Sequence, residues 1–122
     1  MLDDHSISIQ ERSRLFAVRV IKAYVELNTR KFDDAGKVLS KQFLRSGTSI
    51  GANVAEAEFA QSNADFISKY SIALKEASET RYWMRIMIES EIISKHKFSS
   101  MLNEIDRIIR ILITIIKKLK QK

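Results

Sequence analysis

Proline is absent from this chain, and only three glycines stand among its 122 residues. Such a chain has few places to break a helix. With 45% hydrophobic and 30% charged residues, it is expected to form a compact, soluble, helical domain rather than a β-sandwich or a disordered segment. The length fits one domain, residues 1–122, large enough to bury a core without staples.

Local signals divide the chain into four helices. Ser8-Ile9-Gln10-Glu11 reads as a capping box that opens the first. Leu15, Val18, Ile21 and Val25 follow at helical spacing and are expected to form its core stripe. Asn28-Thr29 weakens the run, and Asp33 or Asp34 caps the second helix. Its apolar face holds Leu39, Phe43, Ile50, Val54 and Ala57. Ser62 caps the third, which carries Phe66, Tyr70, Leu74, Ala77 and Met84. Ser94 caps the fourth, with Phe98, Leu102, Ile105, Ile109, Leu112, Ile116 and Leu119 as its stripe. The connecting loops are short, which predicts antiparallel neighbours and an all-α, up-down-up-down four-helix bundle.

The fourth helix is apolar around most of its girth. Its polar positions Arg107, Arg110, Thr114, Lys117, Lys118 and Gln121 occupy only about 100° of the wheel. The excess is expected to be buried, either against another copy of the chain or under the chain's own N-terminal residues.

Charge is concentrated in the same helix. Residues 1–34 carry six basic and six acidic side chains, whereas residues 94–122 carry eight basic and two acidic, the equivalent of the entire net +6. Arg107, Arg110, Lys117, Lys118, Lys120 and Lys122 are therefore the candidate phosphate contacts for a nucleic-acid partner. The alternative is that the terminal lysines simply favour a helix C-terminus.

Residues 47–51, GTSIG, match the G-x-S-x-G pattern of a hydrolase nucleophile elbow. That elbow needs a strand, a sharp turn and a helix. Here the preceding residues read as helix and the only downstream histidine is His96, so the match is taken as accidental. Gly47, Gly51 and Ala55 instead form an i, i+4, i+8 strip suited to close helix approach. Beside it, Arg45, Ser49, Asn53 and Glu56 fall within about 80° of one another. They form either a hydrogen-bonded network or a solvated face.

Other chemistry is sparse. Cysteine is absent, which removes disulfides, thiolate metal sites and cysteine nucleophiles. Neither histidine has a glutamate three residues before it, so the di-iron motif of helical bundles is missing. Asp3-Asp4-His5 has metal-ligating residue types but reads as a frayed terminus. No phosphate-binding glycine loop exists, and no cofactor is expected. The N-terminus lacks the pattern of a signal peptide. The apolar run 108–116 is far shorter than the ~20 residues that span a bilayer, so a cytoplasmic, non-membrane protein is expected. Tyr70, Tyr82 and Trp83 could stack bases, although Tyr70 lies on the core stripe. Tyr82 shares a face of the third helix with Ser71, Lys75, Ser78 and Arg85. That face is solvent, a subunit contact or a polyanion site.

The run LRSGTSIGANVAEAEFAQSNADFISKYSIALKEASE resembles the signature of the four helix bundle protein family, also called the 23S rRNA intervening sequence protein family. Arg45, Ser49-Ile50, Asn53-Val54-Ala55-Glu56, Asp65-Phe66 and Glu79 carry the resemblance. Ala57 stands where the family usually has Gly, and Lys75-Glu76 where many members have Gly-Ser. The resemblance implies an antiparallel bundle that assembles into a homopentamer, with no established enzyme activity. Members occur in genes inserted within ribosomal RNA genes. The family is also similar to a basic, pentameric accessory protein of diversity-generating retroelements, linked to nucleic acid. The expected function is thus a non-enzymatic, oligomeric binding protein for RNA or DNA. The alternative is a protein-binding adaptor or scaffold.

Overall fold

A computed structural model describes residues 7–29 and 33–121. Four helices follow one another: α1 (Ile9–Asn28), α2 (Asp34–Ala57), α3 (Asn63–Glu89) and α4 (Lys95–Lys120). Each begins where its cap predicts. The Ser8 hydroxyl accepts from the Glu11 N–H at 3.1 Å, the Asp33 carboxylate from the Gly36 N–H at 2.8 Å, and the Ser62 hydroxyl from the Asp65 N–H at 3.0 Å. Each bond satisfies one of the orphan donors of a helix start. Ser94 holds the cap position of α4 without a side-chain bond. At the end of α3, Glu91 takes the left-handed conformation that glycine usually supplies, with φ 63°.

Helices packed in chain order make an antiparallel ring: α1 on α2, α2 on α3, α3 on α4, with a narrower contact from α4 back to α1. Across the diagonals only side chains meet: the rings of Phe43 on α2 and Phe98 on α4 lie 5.3 Å apart, and Gln10 on α1 donates to the Tyr70 hydroxyl on α3 at 3.4 Å. The predicted stripes of α2, α3 and α4 point inward. Phe43, Ile50, Tyr70, Met84, Phe98, Ile105 and Leu112 are among the residues that fill the centre.

The stripe expected for α1 is a correction. Leu15, Val18, Ile21 and Val25 are 42%, 39%, 47% and 57% exposed. Ile9, Phe16, Val20 and Leu27 point inward instead, together with Arg12 and Ser13. At about 100° per residue, the two sets lie on opposite sides of the helix. The two polar residues on the inward side each find a partner. Arg12 is 3% exposed, and its Nη1 donates to both carboxylate oxygens of Glu104 on α4 at 3.0 Å. The Ser13 hydroxyl donates to the Gln10 carbonyl.

The girth of α4 is corrected in the same way. Ile108, Ile109, Leu112 and Ile116 are buried within the chain and Ile111 and Ile115 are half-buried, leaving Ile113 as its one exposed large apolar side chain among the described residues, at 37%. An outward apolar stripe of four side chains belongs to α1, and Val38, Phe59 and Ile72 are exposed elsewhere.

The glycine strip sets the α1–α2 distance. A Cβ built on Gly47 would stand 2.7 Å from Val20 Cγ2, and one on Gly51 would stand 3.1 Å from the Ser13 carbonyl oxygen. Both glycines are needed for close approach. Ala55, the third member of the strip, is exposed.

Candidate nucleic-acid interface

Beyond Asp106 the chain contains no acidic residue, and the outward arc of α4 is uniformly basic or neutral from there to its end. Arg110, Lys117, Lys118 and Lys120 are exposed, and among the described residues no carboxylate pairs with them. Thr114 sits between them and donates its hydroxyl to the Arg110 carbonyl at 2.9 Å. Lys117, Lys118 and Lys120 also occupy the last helical turn, where cations meet the negative end of the helix dipole. That preference and phosphate binding are compatible uses of the same charges. Arg107 is different. It is half-buried and donates to Glu104 at 3.3 Å, which also receives Arg12, so it belongs to the α1–α4 seam. Lys122 lies outside the described residues, as does the Asp3-Asp4-His5 cluster.

The row on α2 resolves into a surface seam with α3. Arg45, half-exposed, reaches Glu79 at 2.8 Å and Glu76 at 3.4 Å. The hydrogen bond to Glu79, with the charges of Glu76 and Glu79 behind it, outweighs desolvation and raises the Arg45 pKa above its ordinary value. The Ser49 hydroxyl donates to the Arg45 carbonyl at 2.7 Å, and the Asn53 amide to the Ser49 carbonyl at 2.8 Å. Glu56 takes Lys69 at 3.2 Å. The Ser49 and Asn53 bonds stay within α2, and the ion pairs of Arg45 and Glu56 tie it to α3. As exposed pairs, each contributes on the order of 0–1 kcal/mol. Beneath them the hydroxyls of Thr80 and Ser46 meet at 2.9 Å in the buried layer.

Residues 47–51 lie inside α2, with helix on both sides. The Ser49 hydroxyl is spent on its own helix, and His96 stands on the first turn of α4. The strand–turn–helix of a nucleophile elbow is therefore not built here. Among the described residues no group of three or more His, Cys, Asp or Glu side chains could hold a metal ion.

The three aromatic candidates separate. Tyr70 is buried and stacks on Phe66 with ring centroids 4.5 Å apart. Burial, followed by the charge of Glu58, pushes its phenol pKa up. Trp83 packs against the core. Tyr82 is 57% exposed, and its ring meets Trp83 edge-on at 5.3 Å.

Sequence reasoning passed over Arg81 and Lys95. Arg81 donates to Asp106 of α4 at 3.0 Å, and with Arg85 and Lys95 it lines a groove between α3 and α4. The i, i+4 pair Arg81 and Arg85 was the available signal; that Lys95 joins them depends on the α3–α4 turn.

An antiparallel bundle with three contacts between consecutive helices, a fourth that closes the ring, and a basic last helix defines the class of protein. A family model described as 23S rRNA-intervening sequence protein matches residues 5–114. The chain belongs to that family. It is similar to a crystal structure of a protein with unknown function from the S23 ribosomal protein family of Bacteroides thetaiotaomicron. The two are 48% identical, with a TM-score of 0.82 over 90% of this chain and 99% of the other. No curated protein matches. Among the described residues no helix is long and apolar enough to cross a membrane.

Proposed function

We propose that the protein is a non-enzymatic, self-assembling binding protein that presents the outer face of α4 to phosphate backbones. The observation that carries this reading is the arc of Arg110, Lys117, Lys118 and Lys120, exposed and, among the described residues, without an ion pair. Charges left free along one helix attract polyanions, and binding releases the counterions condensed on the nucleic acid. They contact phosphates rather than base edges, so sequence preference is weak. The 23S rRNA in the family's description agrees with RNA as a partner. A cytoplasmic location goes with this reading, since nucleic acid is met there.

Self-assembly is supported by α1. Four large apolar side chains on one exposed stripe are a surface that another protein covers. A further copy of the chain is the simplest cover, and the homopentamer implied by the family resemblance is the assembly proposed. A ring of five would repeat the basic face five times.

The competing reading is a protein-binding adaptor, favoured by the same α1 stripe if a different protein covers it. Fluorescence anisotropy with labelled RNA and DNA separates the two. Wild-type protein is expected to bind at low salt. The variant Lys117→Gln/Lys118→Gln/Lys120→Gln/Lys122→Gln is expected to bind more weakly on every sequence. Absence of binding by the wild type, or equal binding by both proteins, leaves the adaptor reading.

A further inference from the structure

We infer that the outward face of α3 joins the basic face of α4 in one track for single-stranded nucleic acid, with Tyr82 as its base-stacking platform. This rests on the phosphate-binding reading of α4 and extends it to a class of ligand.

The two helices are antiparallel neighbours, and the Arg81–Asp106 bond sets their register. Each step back along α3 from Arg81 matches a step forward along α4 from Asp106. Arg110 therefore stands level with Ala77, next to Ser78, and Lys117 with Tyr70, next to Ser71. Lys75 falls between those levels. Ser71, Lys75, Ser78, Tyr82 and Arg85 are all exposed. From Arg85 to Ser71 the face runs about 21 Å at 1.5 Å per residue.

The carboxylates near this face are committed elsewhere or sit at its end. Asp106 is held by Arg81. Glu76 and Glu79 turn to the other flank of α3 and pair with Arg45. Glu89 lines the far end of the α3–α4 groove together with Lys95. Between Ser71 and Arg85 the charges that face outward are thus Lys75, Arg85 and, from α4, Arg110 and Lys117. The groove beside Arg81 and Arg85 holds about 460 Å³ and has Ile88 and Leu102 in its lining. It has room for an unstacked base as well as a phosphate.

Tyr82 decides between single and double strands. It is a large aromatic side chain 57% exposed, braced edge-on by Trp83. Lys75 lies one side of it along the helix and Arg85 the other. A rigid ring among cations offers a stacking surface that every base can use. In a duplex the base faces are already stacked and out of reach, so a projecting ring finds its partner only in a single strand.

The test compares a labelled single-stranded oligonucleotide, as RNA and as DNA, with the duplex of the same sequence. Four proteins are titrated: wild type, Tyr82→Ala, Tyr82→Phe and the four-lysine variant. Circular dichroism confirms that each variant keeps its helices. Wild type is expected to prefer the single strand. Tyr82→Ala should weaken single-strand binding about tenfold and leave duplex binding unchanged, and Tyr82→Phe should restore it. Equal affinity of wild type for single strand and duplex overturns the track. So does unchanged single-strand binding by Tyr82→Ala. In either case, loss of binding by the four-lysine variant keeps the α4 reading intact. If wild type binds neither form, both fall together. RNA and DNA arms of equal affinity are expected from stacking and phosphate contacts; a large difference between them means that sugar contacts dominate, and overturns the proposal.

Discussion

Val20 occupies the space that any side chain at Gly47 would need. The nearest methyl of Val20 lies 2.7 Å from where a Cβ would stand, well inside normal carbon contact. Gly47→Leu is therefore expected to overpack the α1–α2 contact and destabilise the bundle by about 1–3 kcal/mol. Thermal unfolding checks this. A raised melting temperature, the usual result of removing glycine from an open helical site, would show that α1 can move away freely.

Arg12 and Glu104 tie the two ends of the ring together. Arg12 is nearly fully buried, so removing Glu104 takes away the carboxylate that its Nη1 reaches at 3.0 Å. Glu104→Ala is expected to cost about 3–5 kcal/mol, and the double replacement Arg12→Met/Glu104→Leu less than that. Urea unfolding of the two variants makes the comparison. A double variant as unstable as Glu104→Ala would mean that packing at Arg12, not its charge, is what α1 needs.

The phenol of Tyr70 holds its proton above the ordinary value of about 10, because burial disfavours the phenolate and Glu58 adds repulsion. The folded chain keeps this proton to higher pH than the unfolded chain. The associated stability is complete below the unfolded value and is lost as pH rises through the folded one. Wild type should therefore lose more stability than Tyr70→Phe across that window. Urea midpoints about one unit either side of pH 10 measure the difference. Parallel losses in the two proteins would place the alkaline instability on other groups.

The exposed stripe of α1 predicts an assembly. Five chains of 14.1 kDa make 70.5 kDa (5 × 14.1). Light scattering should find that mass for wild type and a smaller one for Leu15→Gln/Ile21→Gln, with helicity kept in both. A wild type that stays at 14.1 kDa at micromolar concentration contradicts self-assembly through this face.

The helix starts were legible because Ser8, Asp33, Ser62 and Ser94 are cap residues placed ahead of apolar runs. The inward face of α1 was not, and the reason is physical. Leu15, Val18, Ile21 and Val25 keep helical spacing as well as Phe16, Val20 and Leu27 do. The inward set also includes Ser13, which bonds within its own helix, and Arg12, whose burial draws on Glu104 from a helix more than ninety residues away. Periodicity along one helix carries no information about that partner. The same limit hid the role of Arg107, which reads as a free cation on α4 but is engaged by Glu104. Arg110, Lys117, Lys118 and Lys120 were legible as an exposed basic arc because no acidic residue follows Asp106. The groove that Arg81 shares with Lys95 needed the α3–α4 turn to bring it together.

The most direct test of phosphate binding by α4 is the salt dependence of affinity for a labelled single-stranded RNA. Each phosphate neutralised contributes a slope of about −0.7 in log affinity against log salt on single strands. Wild type is expected to show a steep negative slope, and the four-lysine variant a shallower slope with weaker binding at every salt concentration. Equal slopes and affinities for the two proteins would contradict the account.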